Sequence, residues 1–441
     1  MIDQPMATRS LPAVTTLTAT AIVTADMIGV GVFTSLGFQA RDVSSTFALV
    51  LLWGVGGAVA LCGALCYAEL ATMFPRSGGE YTFLSRIYGP AVGFMAGWLS
   101  ATVGFAAPVA LAAMAFGQYA QAVLPGAPAL PLGLAVIWIV SAVHLRGLRQ
   151  SSAFQVAFTL AKLALIVMFI GVGFARGSGQ PISFVPGAFD LAQIASAGFA
   201  VSLVFVMYSY SGWNAATYIV GELDDPQRSL PRALLAGTGF VAVLYVALNA
   251  VFLYTTPLTE LAGQVEVALI AGRHVFGEAG GRFVGALICA GLIPTISAMT
   301  WIGPRVTLAM GEDVIPLRVF ARRSRSGVPT AAILLQCGVA SLLLLTQSFE
   351  AVLEFVQFGL LACSFLTVLG LIKLRITQPD LPRPCRTWGY PFTPLIFLAV
   401  TLFMMIYLVV ARPLQSLAGL LIMLAGLALY AVARTLRQTN A

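Results

Sequence analysis

Long apolar stretches recur along this chain with only short polar links between them. That recurrence restricts its folds more than any single motif. A helix crossing a bilayer needs ~20 apolar residues and satisfies all of its backbone polar groups internally. Twelve runs reach or approach that length, at 12–40, 46–73, 88–122, 130–146, 153–175, 192–222, 232–255, 282–310, 329–346, 351–374, 391–411 and 414–436. With 59% hydrophobic and 9% charged residues, the chain lies outside the soluble globular range. The expected fold class is an all-α polytopic membrane protein of twelve transmembrane helices.

Charge supplies the orientation. With the N-terminus inside, the inner segments hold seventeen of the 24 Lys and Arg residues. The outer segments hold Arg41, Arg176, Arg273, Arg282 and Arg412, while Lys162 and Arg305 fall in or near apolar runs. The positive-inside bias therefore places both termini in the cytoplasm, with the chain in the inner (plasma) membrane. The net charge of +7 follows from the same bias. No basic stripe with interleaved aromatics is present, so nucleic acid is not an expected partner, whereas membrane lipid is. The first apolar run is too long for a cleavable signal peptide and continues into further spans. Cys62, Cys66, Cys289, Cys337, Cys363 and Cys385 are scattered, with neither a disulfide framework nor metal-ligand spacing. No cofactor or metal is expected.

Two of the runs are interrupted. Thr24-Ala-Asp-Met-Ile-Gly-Val-Gly-Val-Phe33 carries Asp26 one turn before Gly29-Val30-Gly31. Tyr208-Ser-Tyr-Ser-Gly-Trp-Asn214 places small and polar residues inside the sixth run. Backbone freed by such breaks is tolerated in a membrane only where it lines a cavity or binds something. Paired broken helices in matching halves point to a transporter's central site. A carboxylate at this depth is either functional or paired with a neighbouring donor. Lys162, in the fifth run, either snorkels to the interface or acts as an internal cation. Thr295, Ser297 and Thr300 in the eighth run either face the first break or bond back to their own helix.

Several segments resemble the amino acid–polyamine–organocation (APC) superfamily, and in particular bacterial members of its L-type/cationic amino acid transporter branch. Glu69-Leu-Ala-Thr-Met-Phe-Pro-Arg-Ser-Gly-Gly-Glu-Tyr81 is similar to the superfamily's helix 2–3 segment, and Gly29-Val-Gly-Val-Phe33 to its helix 1 break. The most specific match is the helix 6 signature, met at Tyr210, Gly212, Trp213, Asn214, Glu222, Pro226, Arg228 and Pro231. Arg305 to Pro316 resembles the helix 8–9 link, with Val314 where glycine is usual, and Arg383 to Pro391 resembles the segment before helix 11. The likeness runs from about residue 15 to 435, with no additional domain expected.

The resemblance implies a single transporter domain over 1–441 with a 5+5 inverted repeat of LeuT type. The first repeat is 12–175, the second 192–374, and 391–436 carries helices 11 and 12. It implies a lid over the substrate at Tyr208, where phenylalanine or tryptophan is usual, although Tyr208, Tyr210 and Trp213 also suit plain packing. It implies that Lys162 replaces a coupling sodium or exchanges a proton through contacts with helices 1 and 8. Relatives of the animal L-type group bond a glycoprotein heavy chain through a cysteine in the loop after helix 3. The loop Leu124-Pro-Gly-Ala-Pro-Ala-Leu-Pro131 has none, so no disulfide-linked heavy chain is expected.

Together these readings predict a secondary active amino acid transporter, not an enzyme, working by alternating access. It is expected to be sodium-independent, a proton-coupled symporter or exchanger. Free N–H groups after Gly29-Val30-Gly31 suit a carboxylate, and freed carbonyls in the first run and near Tyr208-Ser209 suit an ammonium. The expected substrate site comprises Asp26, Ile28, Gly29, Val30, Gly31, Tyr208, Ser209, Ser211, Gly212 and Asn214. Lys162, Asp26 and Ser297 are the coupling candidates. Small polar residues at 209, 211 and 214 favour neutral L-amino acids, while Asp26 leaves cationic amino acids or polyamines as the alternative. A channel would need continuous polar rings, an enzyme would need a nucleophile–base set that His144 and His274 do not supply, and a sensor would be expected to carry a signalling domain.

Overall fold

The computed structural model describes residues 14–146, 152–176, 179–182, 185–314, 317–324 and 327–439. The expected start of the first helix after Leu11-Pro12, the basic residues Arg9, Arg149 and Arg325, and Pro316 of the helix 8–9 motif lie outside them. Among the described residues the chain is helical apart from turns and one isolated bridge between Val14 and Leu223. Among the described residues nine helices are long and apolar enough to cross a membrane, ten if one pair bent by 66° counts as a span. Two shorter apolar helices, Ala129–Leu145 and Thr330–Leu345, accompany them. The protein is an all-α, multi-pass membrane protein. Its outward side chains include Ile139, Leu160, Val167, Leu402, Ile406, Val410 and Leu421, an apolar exterior that hydrocarbon solvates and water would not.

The first run is two helices, α1 (Thr16–Met27) and α2 (Gly31–Asp42). The break is local chemistry. Ile28 leaves the helical region at φ −75°, ψ 72°, and glycine at 31 lets another helix come close. α3 (Thr46–Met73) begins at the Ser45 cap, whose Oγ accepts from Ala48 N–H and donates to Asp190 Oδ1 at 2.6 Å. α4 (Glu80–Tyr88) lies ahead of the expected third run, which itself holds α5 (Pro90–Leu99), a π-turn over Ser100–Gly104 and α6 (Ala106–Val123). Gly89, at φ +101°, and Pro90 at the first position of α5 separate α4 from α5.

α7 (Ala129–Leu145) and α8 (Ser152–Arg176) follow. The sixth run becomes α9 (Ala188–Ile194), α10 (Ala197–Tyr210) and a 3₁₀ segment over Ala215–Glu222, so it too is broken where glycine and polar residues cluster. α11 is Pro226–Thr255 and α12 is Leu258–Leu261. α13, Val267–Asp313, joins residues ahead of the eighth run to that run across Gly277 at φ +75°. α14 (Arg318–Ala321), α15 (Thr330–Leu345), α16 (Phe349–Thr377), α17 (Phe392–Ala411) and α18 (Pro413–Thr439) complete the chain.

The two broken elements lie at the centre of the bundle. Gly31 touches Ser209 so closely that a Cβ would stand 2.7 Å from the Ser209 Cα, which brings α2 and α10 into backbone contact. The Ser35 and Ser209 hydroxyls are hydrogen-bonded at 2.9 Å across the same contact. At one end of the bundle Glu69, fully buried, accepts from Arg375 Nε at 3.0 Å and from Thr387 N–H at 2.6 Å. Arg383 Nε lies 3.3 Å from the same carboxylate without hydrogen-bond alignment. At the other end Arg412 bonds Glu354 at 2.7 Å and Glu350 at 2.9 Å, and Arg41 reaches Glu350 at 3.2 Å. The helix bundle is thus tied at both ends around its interrupted middle.

Candidate functional site

α1 stops at Met27, and the groups released there find distinct partners. Ile28 N–H returns to Thr24 O at 3.0 Å, while Tyr245 donates its hydroxyl to Met27 O at 2.6 Å. Lys162 on α8 donates to Ile28 O at 2.9 Å and to Thr295 Oγ1 on α13 at 2.7 Å. Its side chain is 7% exposed, so it does not snorkel. Gly291 gives its stem room, since a Cβ there would lie 3.2 Å from Lys162 Cγ. One ammonium therefore joins the break to two other helices. On the far side of the break, the N–H groups of Val30, Gly31 and Val32 make no backbone hydrogen bond among the described residues. They form the open, electropositive end of α2.

α10 ends in the same region. Ser211 donates both its N–H, at 2.9 Å, and its hydroxyl, at 2.6 Å, to Tyr208 O. Both lone pairs of that carbonyl are engaged, so it is not the free acceptor that the sequence suggests near Tyr208-Ser209. Ser209 donates to Phe205 O at 2.9 Å and packs on Ser35, which places its hydroxyl in a helix contact. Gly212 adopts φ +96°, and a Cβ there would lie 2.8 Å from Asp26 Oδ2 and 2.9 Å from the Asp26 backbone carbon. Only glycine lets the second break close onto the first.

Asp26 and Lys162 make no direct contact, although they are close enough to feel each other's charge. Among the described residues no ion pair joins them, and Asp26 Oδ1 is buried without a hydrogen-bond partner. Asp26 instead lines a cavity of about 90 Å³ together with Ser211, Gly212 and Asn214. Ile28, Gly29 and Lys162 line a separate, smaller hollow of about 10 Å³. Val30 and Tyr208 are buried, at 3% and 5% exposure, in the packing around the breaks. The expected set is thus brought into one region but divided between a cation contact, a helix contact and a cavity wall.

Ser297 is misplaced by the sequence reading. Its hydroxyl meets His144 Nε2 at 2.7 Å, and Thr295, two residues away and on another side of α13, is the Lys162 partner. A two-residue step turns a helical side chain by about 200°, which periodicity alone does not resolve when Thr, Ser and Thr follow in quick succession. Thr300 bonds back to Ile296 O at 2.7 Å. His144, in the last turn of α7, is 8% exposed.

Sequence reasoning also passed over residues of the cavity. Glu80, Ser100, Tyr218 and Gln357 line it. The signal for Glu80 was present, an acid after Gly78-Gly79 at the head of an apolar run. Ser100 and Gly104 sit on the π-turn, an irregularity that often accompanies functional sites.

Comparison with known proteins agrees with this architecture. The amino acid permease family model matches residues 14–432. The Asc-type amino acid transporter 1 of Mus musculus is 26% identical over 429 residues, covering 94% of this chain and 79% of that protein. The b(0,+)-type amino acid transporter 1 of Homo sapiens is 28% identical over 421 residues, covering 93% and 85%. The large neutral amino acids transporter small subunit 2 of Oryctolagus cuniculus is 28% identical over 438 residues, covering 94% and 79%. A helix bundle interrupted twice at its centre and a family match over almost its whole length lead to one conclusion: this chain belongs to the amino acid permease family of the APC superfamily, a family of transporters and not of enzymes.

Proposed function

We propose that the protein is a sodium-independent secondary transporter of L-amino acids that works by alternating access around the two breaks. One observation carries this reading, the Lys162 ammonium bound to Ile28 O and Thr295 Oγ1. A backbone carbonyl and a hydroxyl oxygen held together between an unwound helix and its neighbour are ligands suited to a small cation. Here a tethered positive charge already occupies them. The open N-terminus of α2 is suited to the substrate carboxylate. The α-amino group then lies toward the end of α1, since Tyr208 O is engaged by Ser211. Tyr208 is the residue proposed to gate the site.

The breaks occupy matching places in the segments 12–175 and 192–374, which supports an inverted repeat followed by helices 11 and 12, with twelve spans in all. The excess of Lys and Arg in alternate links supports cytoplasmic termini in the inner membrane. Ser211 and Asn214 favour neutral substrates with proton symport or exchange. The unpaired Asp26 favours a second reading, cationic substrates. Segment 124–131 offers no cysteine for a disulfide-linked partner. One relative is nevertheless named a small subunit, so a partner of this chain is sought as a shift in mass when the protein is extracted gently from its native membrane.

Uptake of radiolabelled amino acids into proteoliposomes tests the proposal, run with and without sodium, a proton gradient and internal amino acid. Uptake without sodium is expected. Stimulation by the gradient alone identifies symport, and stimulation by internal amino acid alone identifies exchange. Uptake that strictly requires sodium overturns the assignment of Lys162.

A further inference from the structure

We infer that the cavity beside the breaks contains a subsite for a cationic side chain, in which Asp26 and Glu80 together receive an ammonium or guanidinium group. This rests on the reading of the breaks as an α-amino acid site. The open end of α2 would hold the substrate's backbone while its side chain enters the cavity.

Asp26 arrives from the end of α1 and Glu80 from the start of α4, and both line the same space of about 90 Å³. They are 8% and 3% exposed. Glu80 Oε1 accepts the Tyr67 hydroxyl at 2.5 Å and the Ser364 hydroxyl at 2.9 Å, and Oε2 receives no hydrogen bond among the described residues. Asp26 Oδ1 has no partner. Gln357, 3% exposed and on the same wall, has an unpartnered Oε1. Among the described residues no lysine, arginine or histidine lines the cavity, and Lys162 is committed to the first break.

Buried acceptors therefore face this space with no cation among the residues that line it. Carboxylates taken out of water need a counter-charge or donors that replace it. An ammonium brings three donors and a guanidinium five, whereas an aliphatic side chain brings none. Phe105, Met207, Met299, Leu360 and Leu361 complete the wall and suit the methylene stem of a long cationic side chain. Asp26 touches Gly212, so occupation of the subsite would act directly on the junction of the two breaks.

L-lysine and L-norleucine share their backbone groups and four-carbon tail and differ by the terminal ammonium, so together they isolate the subsite. Thermal stabilisation of the purified full-length chain is measured against the concentration of each, and against 1,5-diaminopentane. L-lysine is expected to act at concentrations lower than L-norleucine by on the order of tenfold or more. That ratio is expected to collapse toward one in Glu80→Gln and in Asp26→Asn. Should Asp26→Asn fail to fold, Glu80→Gln and Gln357→Leu carry the comparison. Equal stabilisation by lysine and norleucine in the unsubstituted protein overturns the subsite, as does a ratio unaltered in the variants. If neither amino acid stabilises the protein, the amino acid reading fails, and diaminopentane then decides the cavity. Stabilisation by the diamine that Glu80→Gln removes keeps the subsite, and its absence overturns that too.

Discussion

Replacing Lys162 by methionine keeps the length of the stem and removes the charge. The ammonium makes two hydrogen bonds, to Ile28 O at 2.9 Å and Thr295 Oγ1 at 2.7 Å. Bonds from a charged donor contribute about 1.5–3 kcal/mol each, so the gross tie is about 3–6 kcal/mol. Against it stands the desolvation of a buried ammonium, several kcal/mol, which methionine does not incur. The two terms largely cancel in overall stability, and a shift of only a few degrees in the unfolding midpoint is expected. They do not cancel at the break, where Ile28 O loses its donor and α1–α2 loses its link to α8 and α13. If about 2 kcal/mol of the tie distinguishes the transport-competent arrangement, the competent fraction falls about 30-fold. Initial uptake in sodium-free proteoliposomes, at equal amounts of folded protein, reads this directly. A Lys162→Met protein that transports at the unsubstituted rate would refute the reasoning.

Three further outcomes follow from the geometry. Gly212→Ala meets both a positive φ, about 1–2 kcal/mol, and contact with Asp26, about 1–3 kcal/mol. A clearly lowered unfolding midpoint is expected, and an unchanged one contradicts the close approach of the breaks. Thr295→Val removes one of the two Lys162 acceptors and is expected to slow sodium-free uptake, whereas Ser297→Ala frees His144 and is expected to lower stability by about 1–3 kcal/mol. Equal slowing by the two would show that the two hydroxyls are not distinct in role. Glu69→Ala leaves Arg375 and Arg383 without their buried carboxylate and is expected to destabilise the fold by about 3–5 kcal/mol, with partial recovery in the double replacement with Arg375→Met. No loss in thermal unfolding would mean that the network contributes nothing.

Much of the fold was legible because a bilayer permits so few structures. Continuous apolar runs in lipid must be helices, and glycine with polar neighbours inside such a run must break it where lipid does not reach. Thus the helix from 46 to 73 and the breaks near Gly29 and Gly212 were expected and are found at those places. The third run was less legible. The helix ahead of it, Glu80–Tyr88, its separation at Gly89 and the irregularity across Ser100–Gly104 depend on a positive φ and a π-turn, neither of which alters the apolar pattern.

What the sequence by itself determined is therefore the all-helical membrane architecture, the family, and the location of the two interruptions. Each of these depends on local composition or on contiguous motifs. Tertiary structure alone decided which side chains meet. It assigned Thr295 and not Ser297 to Lys162, separated Asp26 from that lysine, and brought Glu80 and Gln357 to the cavity that Asp26 lines. The physical reason is angular. Apolar surroundings are the same on every side of a buried helix, so hydrophobic periodicity records no direction, and a polar side chain finds its partner only when the neighbouring helices fix the rotation and depth of its own.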